Sequence, residues 1–408
     1  MNAHDPKHHQ ANDARGHSAQ PGSVRRLLIS CLAALALVGV TATGASADQS
    51  GARSAPMLLG LMDDALLGNV PDVAFPVVKN LHPQVIRYDL SWANTAPSKP
   101  ADATNPDDPA YDWSIADSVV TRADALGIPV LLTIEVTPRW AGGGTGNKAP
   151  VNMASLKAFA YAAATRYSGQ HVVLTNGQAL PAVTRWEAWN EPNTTSHLRP
   201  QYSCHCSSAK PVSPGIYAKI LKAIYAGVHA AGRHAGVPET VAGGATKPNY
   251  SGPKTYEPAV APLRFLQLLG THHPPLDVYS HHPYRTDIGQ KAGQTERPND
   301  ISFADLPRLI AGLDKAFPGK HLHLWITEFG LQTKPPDPYQ GVSLHDQAVQ
   351  LRRNVAVARA NPRIDMLVWF LIRDEQVRKP FAAGFQTGLT FTNGKLKPSW
   401  RVFRSLAH

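Results

Sequence analysis

Residues Arg185 to Thr195 read RWEAWNEPNTT, a strand-like run with two tryptophans that ends on an Asn-Glu pair. The next residue, Pro192, has no backbone N–H to donate to a sheet ladder, so we expect the strand to end at Glu191. This places a carboxylate at the edge of a secondary-structure element, beside aromatic side chains. A single glutamate at a strand end is most often a solvated surface charge. The role of Glu191 therefore depends on the residues that the rest of the chain brings to it.

Seven other runs have the same short, apolar, β-type composition. The eight candidate strands are PMLLGLM (56–62), QVIRYDLSW (84–92), IPVLLTIEVTPRW (128–140), VTRWEAWNEP (183–192), ETVAGGA (239–245), LDVYSHHPY (276–284), LHLWITEFG (322–330) and MLVWFLI (366–372). Between or after them lie helix-type segments over 72–81, 113–127, 152–169, 215–232, 263–272, 301–317, 345–360 and 399–408. Gly127, Gly169 and Gly232 are expected to cap three of these helices at their C-termini. Strands that alternate with helices in this way predict an α/β protein, a closed (β/α)₈ TIM barrel.

An open doubly wound sheet is the alternative arrangement of such elements. Its nucleotide-binding fingerprint is missing, because the glycine-rich segment AGGGTGNKAP (141–150) lacks the G-x-x-x-x-G-K-[ST] spacing of a phosphate-binding loop. We interpret this segment as a strand-to-helix loop. No internal repeat and no long Ser/Thr/Pro linker marks a second domain, so we expect one catalytic domain over residues 48–408.

The composition is that of a globular protein. Of the 408 residues, 43% are hydrophobic and 17% are charged, so a sizeable core can form. The formal net charge of +10 invites a nucleic-acid partner, but Lys and Arg are scattered, with only short pairs such as Arg352-Arg353. We therefore expect no nucleic-acid binding, and interpret the positive charge as favouring solubility or attraction to acidic glycans and cell surfaces.

The N-terminal segment has the pattern of an export signal. A polar, His-rich stretch precedes RRLLISCLAALALVGVTATGASA (25–47), which has a basic pair, an apolar run and a small-residue end at Ala45-Ser46-Ala47. The apolar run from Leu27 to Val40 is shorter than the roughly 18–20 residues of a spanning helix, which favours cleavage over an uncleaved anchor. Cys31 lies near the start of this run, which disfavours lipid attachment. We expect residues 1–47 to be a disordered leader and secretion signal, and the mature protein to be secreted or extracytoplasmic without stable membrane insertion.

Two cysteines remain after the leader, Cys204 and Cys206 in QYSCHCSSAK. An oxidising compartment allows them to pair, so a small loop disulfide and free thiols are both open. With His205 between them they resemble part of a metal-ligand set. No second C-x-x-C or H-x-x-x-H motif lies nearby to complete a zinc shell, and we predict no metal there.

Two glutamates stand at candidate strand ends with suitable neighbours, Glu191 on the fourth strand and Glu328 on the seventh. Active sites of (β/α)₈ barrels collect at the carboxyl ends of the strands. Asp63, Asp89 and Glu135 also lie at strand ends, and each has a structural interpretation. Glycoside cleavage needs one carboxyl group to protonate the leaving oxygen and another to attack the sugar or activate water. Two glutamates on different walls of a barrel can fill these two roles.

Groups that could separate the pKa values of two carboxyls lie at other strand ends: Arg87, His282 and Tyr284. Aromatic side chains that could offer flat apolar faces to sugar rings are Trp92, Trp140, Trp189 and Trp369. A packing role in the core is the more common one for each tryptophan alone.

RWEAWNEPN together with WITEFG resembles the paired signature of the clan-A retaining glycoside hydrolases. The flanking DVYSHHPY, VIRYDLSW and YDWSIADSVVTRADALGIPVLLTIEVTPRWA resemble families 39 and 5 of that clan, over nearly the whole chain after the leader. The resemblance implies that Glu191 is the general acid/base and Glu328 the nucleophile. It also implies that Asn190 binds the 2-hydroxyl of the sugar.

By the same resemblance Arg87, His282 and Tyr284 are substrate-site residues, and Trp369 lies beneath the sugar at the cleavage point. Trp140 is a further candidate sugar contact. Glu187 lies lower in the barrel and is interpreted as an interior hydrogen-bonding residue. The segment around Cys204 and the segment KPNYSGPKTYEP (247–258) match no pattern of the clan, and the additional β-sandwich of family 39 xylosidases is not evident.

The sequence thus predicts a secreted retaining glycosidase that cleaves a β-linked oligo- or polysaccharide by double displacement, with a carbohydrate substrate and no cofactor or metal. The alternatives are a catalytically silent carbohydrate-binding barrel and a transglycosylase. Retention of both glutamates with their neighbours disfavours the first. The sequence leaves open the sugar, the linkage, endo or exo action and the oligomeric state.

The first prediction concerns the leader. Because the basic, apolar and small-residue segments stand in export-signal order, we expect the exported protein to begin near Asp48. Amino-terminal sequencing of material from the culture medium or periplasm checks this. A sequence that begins at Met1 or Asn2 contradicts it.

Overall fold

The structure is a computed structural model that describes residues 55–142, 146–173, 177–285, 297–377 and 384–408. The predicted leader over 1–47, with Cys31, lies outside the described residues, as do Gly143 and Gly144 of the glycine-rich segment. Within the described part of the chain, no helix is long and apolar enough to cross a membrane.

Eight parallel strands form a closed barrel in chain order. They are β1 (Leu58–Met62), β2 (Val85–Ser91), β3 (Val130–Glu135), β4 (Arg185–Ala188), β5 (Thr240–Thr246), β6 (Val278–His281), β7 (Leu324–Phe329) and β8 (Ile364–Phe370). Each strand pairs with the next, and β8 closes the ring on β1, with Gly60 opposite Val368. The (β/α)₈ prediction is therefore confirmed, and the open doubly wound sheet is excluded.

Helices follow the strands around the outside of the barrel. They are α1 (Asp64–Asn69), α2 (Pro71–Leu81), α3 (Trp92–Thr95), α4 (Ser114–Asp124), α5 (Arg139–Gly142), α6 (Met153–Arg166), α7 (Ser213–Ala235), α8 (Pro262–Gly270), α9 (Leu306–Ala316), α10 (Leu344–Ala360) and α11 (Pro398–Leu406). A 3₁₀ turn, Phe303–Asp305, leads into α9. Helices α2, α4 and α6 to α11 correspond to the eight predicted segments.

None of the three predicted glycines is the C-cap residue of its helix: α4 and α6 have Ala125 and Tyr167 as caps, each shortly before the predicted glycine. Gly232 lies inside α7, which continues to Ala235, and Gly236 takes the left-handed cap conformation with φ of 70°. A Cβ at Gly232 would meet the Glu239 side chain at 2.5 Å, so this glycine permits a close approach of the helix to the chain before β5. A glycine that allows packing and one that ends a helix look alike in the sequence.

The strand alternation separates two apolar layers. Inside the barrel pack Met62, Val85, Leu131, Ala242, Val278, Trp325, Met366 and Val368, with Leu58 and Phe370 at the edges. Because successive side chains of a strand point to opposite faces, Val368 and Phe370 point inward, and Trp369 between them joins the larger apolar layer between strands and helices. This assignment decides which residues can reach a site at the carboxyl ends of the strands.

Candidate active site

A cavity of about 610 Å³ opens at the carboxyl ends of the strands, and Asn190, Glu191, Tyr284 and Glu328 are in its wall. Another depression, of about 830 Å³, lies between α2 and α11 and has no Asp or Glu among its lining residues. Carboxyl ends of barrel strands are the usual location of active sites. The cavity with the carboxylates is therefore the candidate active site.

Arg87, on β2, is the central charge beneath the cavity and is fully buried. Its Nε donates to Glu187 Oε2 at 2.9 Å, its Nη1 to Glu328 Oε1 at 2.5 Å, and its Nη2 to Asn190 Oδ1 at 3.2 Å. Nη2 also lies 3.0 Å from Asp89 Oδ1. A buried guanidinium is stable only when its charge and its donors are matched, and here β2, β4 and β7 supply the matching oxygens. The interior role predicted for Glu187 is confirmed.

Glu328, at the end of β7, is oriented through both of its oxygens. Arg87 donates to Oε1, and the Tyr284 hydroxyl donates to Oε2 at 2.9 Å. Burial and the neighbouring carboxylates raise the pKa of Tyr284 well above its ordinary value, so the phenol keeps its proton and acts as the donor. The register between β7 and β8 shifts between Ile326 and Phe329, at the place where Glu328 turns toward the cavity.

Glu191 stands on a tight backbone turn rather than on a strand. Strand β4 ends at Ala188, so the predicted end at Glu191 is wrong by three residues. Trp189 and Glu191 have φ of 70° and 35°, in the left-handed region that non-glycine residues rarely adopt. Such conformations cost about 1–3 kcal/mol each and concentrate at functional sites. The turn directs the Glu191 carboxylate toward His282, whose Nδ1 lies 3.2 Å from Oε1.

A second histidine, His197, lies on the other side of the Glu191 carboxylate. Its Nε2 is 3.8 Å from Glu191 Oε2, and its Nδ1 is 3.8 Å from Glu135 Oε2. The indole N–H of Trp189 donates to the carbonyl of His197 at 2.9 Å and fixes this part of the loop after β4. The sequence analysis missed His197. The sequence feature that could have indicated a role for His197 is its position on the loop that follows the Asn-Glu pair.

The two histidines set the charge of Glu191. Burial by itself raises the pKa of Glu191, but the hydrogen bond and charge of His282, with the charges of His197 and Lys247, outweigh it and lower the pKa to about 2. For His282 burial has the opposite effect and lowers the pKa, but the neighbouring Glu328 and Glu191 carboxylates raise it above the ordinary value. The pKa of His197 rises to about 9, since Glu135 and Glu191 outweigh its burial. The lowered pKa of Glu191 and the raised pKa of His282 together favour the proton on the imidazole over the carboxylate.

The structure does not place the predicted tryptophan platforms in the cavity. Trp369 is fully buried on the outer face of β8, where its indole N–H donates to the Thr387 carbonyl at 3.0 Å. The inward neighbour Phe370 is in the cavity wall instead. Trp140, on α5, is half-buried outside that wall; its indole donates to the Ala96 carbonyl at 2.8 Å and packs edge-on to Trp92. Trp92 and Trp189 are also buried. The period of two along a strand explains the correction for Trp369.

The other strand-end acids have structural partners. Asp63 Oδ1 accepts from the N–H of Leu66 as the N-cap of α1, and Oδ2 accepts from the N–H of Arg373. Burial raises the pKa of Asp63 to about 6 despite these hydrogen bonds. Cys204 and Cys206 are joined by a disulfide, which is one of the two states that the sequence left open.

Glu191, His282 and Glu328 are the one group of three or more His, Cys, Asp or Glu in the described chain whose possible metal-ligand atoms lie within 4.8 Å of one another. These atoms already have partners, because Glu328 accepts from Arg87 and Tyr284, and His282 contacts Glu191. The Arg87 guanidinium, 2.5 Å from Glu328, repels a second cation. The donor set is suited to carboxylate chemistry rather than to a metal ion.

Comparison of the sequence with protein-family models and with curated proteins finds no match. Solved structures share the fold. One is a family 39 glycoside hydrolase from the gut symbiont Bacteroides cellulosilyticus, with 19% identity, a TM-score of 0.59, and coverage of 86% of this chain and 63% of that chain. Another is a glucosidase from Croceicoccus marinus, with 15% identity, a TM-score of 0.60, and coverage of 86% of this chain and 66% of that one.

A third is an endo-β-1,4-xylanase of family 10 from Gloeophyllum trabeum, with 15% identity, a TM-score of 0.51, and coverage of 88% of this chain and 98% of that chain. The chain spans less than two thirds of the length of the first two structures. At these identities the similarity establishes the barrel. The (β/α)₈ fold implied by the resemblance is confirmed, and glycoside hydrolases are among the solved structures that share it.

The second prediction concerns the charge of Glu191. Since His282 lowers the pKa of Glu191 to about 2, His282→Asn should raise that pKa by about 1–3 pH units. Carbon-13 NMR of carboxyl-labelled glutamate measures the titration, with Glu191→Gln to assign the signal. His281→Asn is the matched control, because the His281 ring is bonded to Thr246 and to the Ile301 carbonyl and not to Glu191. A Glu191 titration that stays near pH 2 in His282→Asn contradicts the assignment.

The third prediction concerns metals. Because Arg87 occupies the charge-compensating position next to Glu328, removal of divalent ions with EDTA should leave the melting temperature and any glycosidase activity unchanged. Differential scanning fluorimetry and an activity assay with and without EDTA check this. Loss of either property in EDTA, with recovery on added zinc, contradicts it.

Proposed function

We propose that the protein is a retaining glycoside hydrolase that cleaves β-linked glycosides, with Glu328 as the nucleophile and Glu191 as the general acid/base. The observation that carries the proposal is the approach of the two carboxylates, one from the turn after β4 and one from β7, with oxygens within 4.8 Å of each other. Retaining enzymes place their carboxyl groups about 5–5.5 Å apart, whereas inverting enzymes leave about 6.5–9.5 Å for a water molecule. The short separation favours the double-displacement mechanism.

In the first step, a Glu328 oxygen attacks the anomeric carbon as the bond to the leaving oxygen breaks, and Glu191 gives that oxygen a proton. In the second step, Glu191 takes a proton from water, whose oxygen attacks the same carbon and releases Glu328. Arg87 and Tyr284 hold Glu328 in the attacking orientation throughout. Asn190 accepts from Arg87 through Oδ1, which directs the donor end of its amide away from the guanidinium and makes it available to a sugar hydroxyl.

The proton for the first step comes from the pair of Glu191 and His282. A sugar that fills the cavity excludes water, and a less polar medium favours the neutral pair over the ion pair. The proton then passes from His282 Nδ1 to Glu191 Oε1 across 3.2 Å. Once Glu328 is esterified it loses its charge, so the interaction that raised the pKa of His282 weakens during the second step. One shared proton can thus serve both the acid and the base function of Glu191.

We also propose that this activity takes place outside the cytoplasm, on the basis of the export-signal pattern over 25–47. Both alternative functions use the same cavity. A catalytically silent carbohydrate-binding barrel has no need for a backbone turn that aims Glu191, or for two histidines that control its charge. A transglycosylase shares the first step and differs in the acceptor, so product analysis at high acceptor concentration separates it from a hydrolase.

The fourth prediction assigns the two roles. Glu328→Ala should abolish turnover of every substrate, because no covalent intermediate forms. Glu191→Ala should keep the first step on dinitrophenyl β-glycosides, whose leaving group needs no proton, and azide should restore its turnover. Azide meets a carbon already inverted once by Glu328, so the product should be the β-azide. Kinetics with and without azide, and proton NMR of the product, measure these outcomes.

Asp72→Ala, which removes an exposed carboxylate on α2, is the control and should respond to azide as the unmodified protein does. An α-azide from Glu191→Ala would show that the mechanism is not double displacement. Rescue confined to Glu328→Ala would show that the two roles are reversed.

A further inference from the structure

The solvent-exposed aromatic side chains lie on loops at the catalytic end of the barrel. Among the described residues, four aromatic side chains are largely open to solvent: Tyr250 (46%), Tyr256 (96%), Tyr339 (58%) and Phe385 (46%). Tyr250 and Tyr256 follow β5, Tyr339 follows β7, and Phe385 follows β8. Loops after the strands of a parallel barrel share its carboxyl end, so these four side chains lie at the same end of the barrel as the cavity.

Three of these four aromatic residues are in the cavity wall or next to a wall residue in the chain. Phe385 is itself in the wall and packs edge-on to Phe370, with ring centroids 5.0 Å apart. Asn249, directly before Tyr250, and Gln340, directly after Tyr339, are wall residues too. Phe385 is therefore part of the candidate active site, and Tyr250 and Tyr339 each adjoin a wall residue in the chain.

Side chains hold the backbone at three of the four rings. Asp300 Oδ1 accepts from the N–H of Tyr250 at 2.8 Å, and Glu375 Oε2 accepts from the N–H of Phe385 at 2.9 Å. Asp337 Oδ1 accepts from the N–H of Tyr339 at 2.8 Å. A ring on a tethered backbone loses little further freedom when a ligand stacks on it, which favours binding.

The rings lie on loops next to the two strands that bring in the catalytic carboxylates. Strand β5 neighbours β4, which precedes Glu191, whereas β8 neighbours β7, which carries Glu328. In the barrel order β7, which carries Glu328, lies between β5 and β8, so a ligand that contacts Tyr250 and Phe385 together spans the end of β7. Exposed apolar surface next to a binding site often binds a ligand or a partner protein. Next to a glycosidase cavity, the ligand that fits aromatic rings is a sugar chain, whose C–H faces can stack on them.

We propose that Tyr250 and Tyr256 on one side, and Tyr339 and Phe385 on the other, bind successive sugar rings of a polysaccharide, and that the enzyme cuts within the chain. This proposal rests on the proposed function. Glu191 protonates the leaving oxygen, so the loop after β5 binds the part of the chain that leaves. The loops after β7 and β8 bind the part that becomes attached to Glu328.

Affinity electrophoresis of the full chain tests the binding surfaces, in native gels that contain arabinoxylan, mixed-linkage β-glucan, galactomannan or hyaluronan. At least one polymer should retard the protein. Tyr250→Ala and Phe385→Ala should each weaken that binding by roughly 5- to 10-fold, the scale of one aromatic contact. Tyr250→Phe keeps the ring and should retain most of the affinity. Val73→Ala, a change at an exposed aliphatic residue of α2, should migrate as the unmodified protein does.

No retardation by any of the four polymers, or equal retardation of the alanine variants, overturns the proposal. Product sizes test the mode of cleavage: internal cuts release a mixture of oligosaccharides and lower the viscosity early, whereas release of single sugars alone overturns internal cleavage. The two proposals fail in different ways. Polymer binding without hydrolysis refutes the glycosidase function but supports the aromatic binding surfaces. Hydrolysis of aryl glycosides without polymer binding supports the glycosidase function but refutes the aromatic binding surfaces.

Discussion

The site depends on the buried charge of Arg87. This guanidinium has no access to water, and its donors are matched by Glu187, Asn190 and Glu328, with Asp89 in ion-pair distance. Loss of one partner of such a buried network costs about 3–5 kcal/mol, because the remaining charges are left uncompensated. Because Arg87 must keep all of its partners, its hydrogen bonds connect β2, β4 and β7 across the barrel interior. The same hydrogen bonds that stabilise Arg87 therefore fix the position of Glu328 and of the residue before Glu191.

Glu191 and Glu328 have different environments even though they are close together. Glu328 accepts hydrogen bonds from a permanent cation and from a phenol that keeps its proton. Glu191 instead lies between the imidazoles of His282 and His197, which, unlike a guanidinium, can give up a proton. A carboxylate beside a fixed charge is suited to attack a carbon. A carboxylate beside titratable imidazoles is suited to exchange a proton, which supports the division of roles proposed for the pair.

A second buried pair fixes the wall of the cavity. Lys397, just before α11, is fully buried and donates to Asp374 Oδ1 at 2.6 Å, to Thr333 Oγ1 at 2.8 Å and to the Gln386 carbonyl at 3.1 Å. These acceptors lie on the loops after β7 and β8, which carry wall residues including Phe385. The C-terminal helix is thereby connected to the substrate side of the barrel, and the loops that present Tyr339 and Phe385 share one anchor.

The sequence by itself determined the fold and much of the carboxylate site. Short apolar runs in alternation with helical segments are a local property, and they predicted all eight strands and their order. The proline after Glu191 and the strand-end positions of Tyr284 and Glu328 are also local, and the structure brings Tyr284 to Glu328. Arg87, predicted at a strand end, lies inside β2 instead and reaches Glu328 from beneath the cavity. Only the tertiary structure decided which side chains face the cavity. A shift of one residue along β8 exchanges Trp369 for Phe370, and His197 reaches Glu191 only because the loop after β4 folds back. The face of a strand on which a side chain lies, and its contacts with distant residues, are set by register, turns and packing between distant segments. No local sequence pattern encodes these.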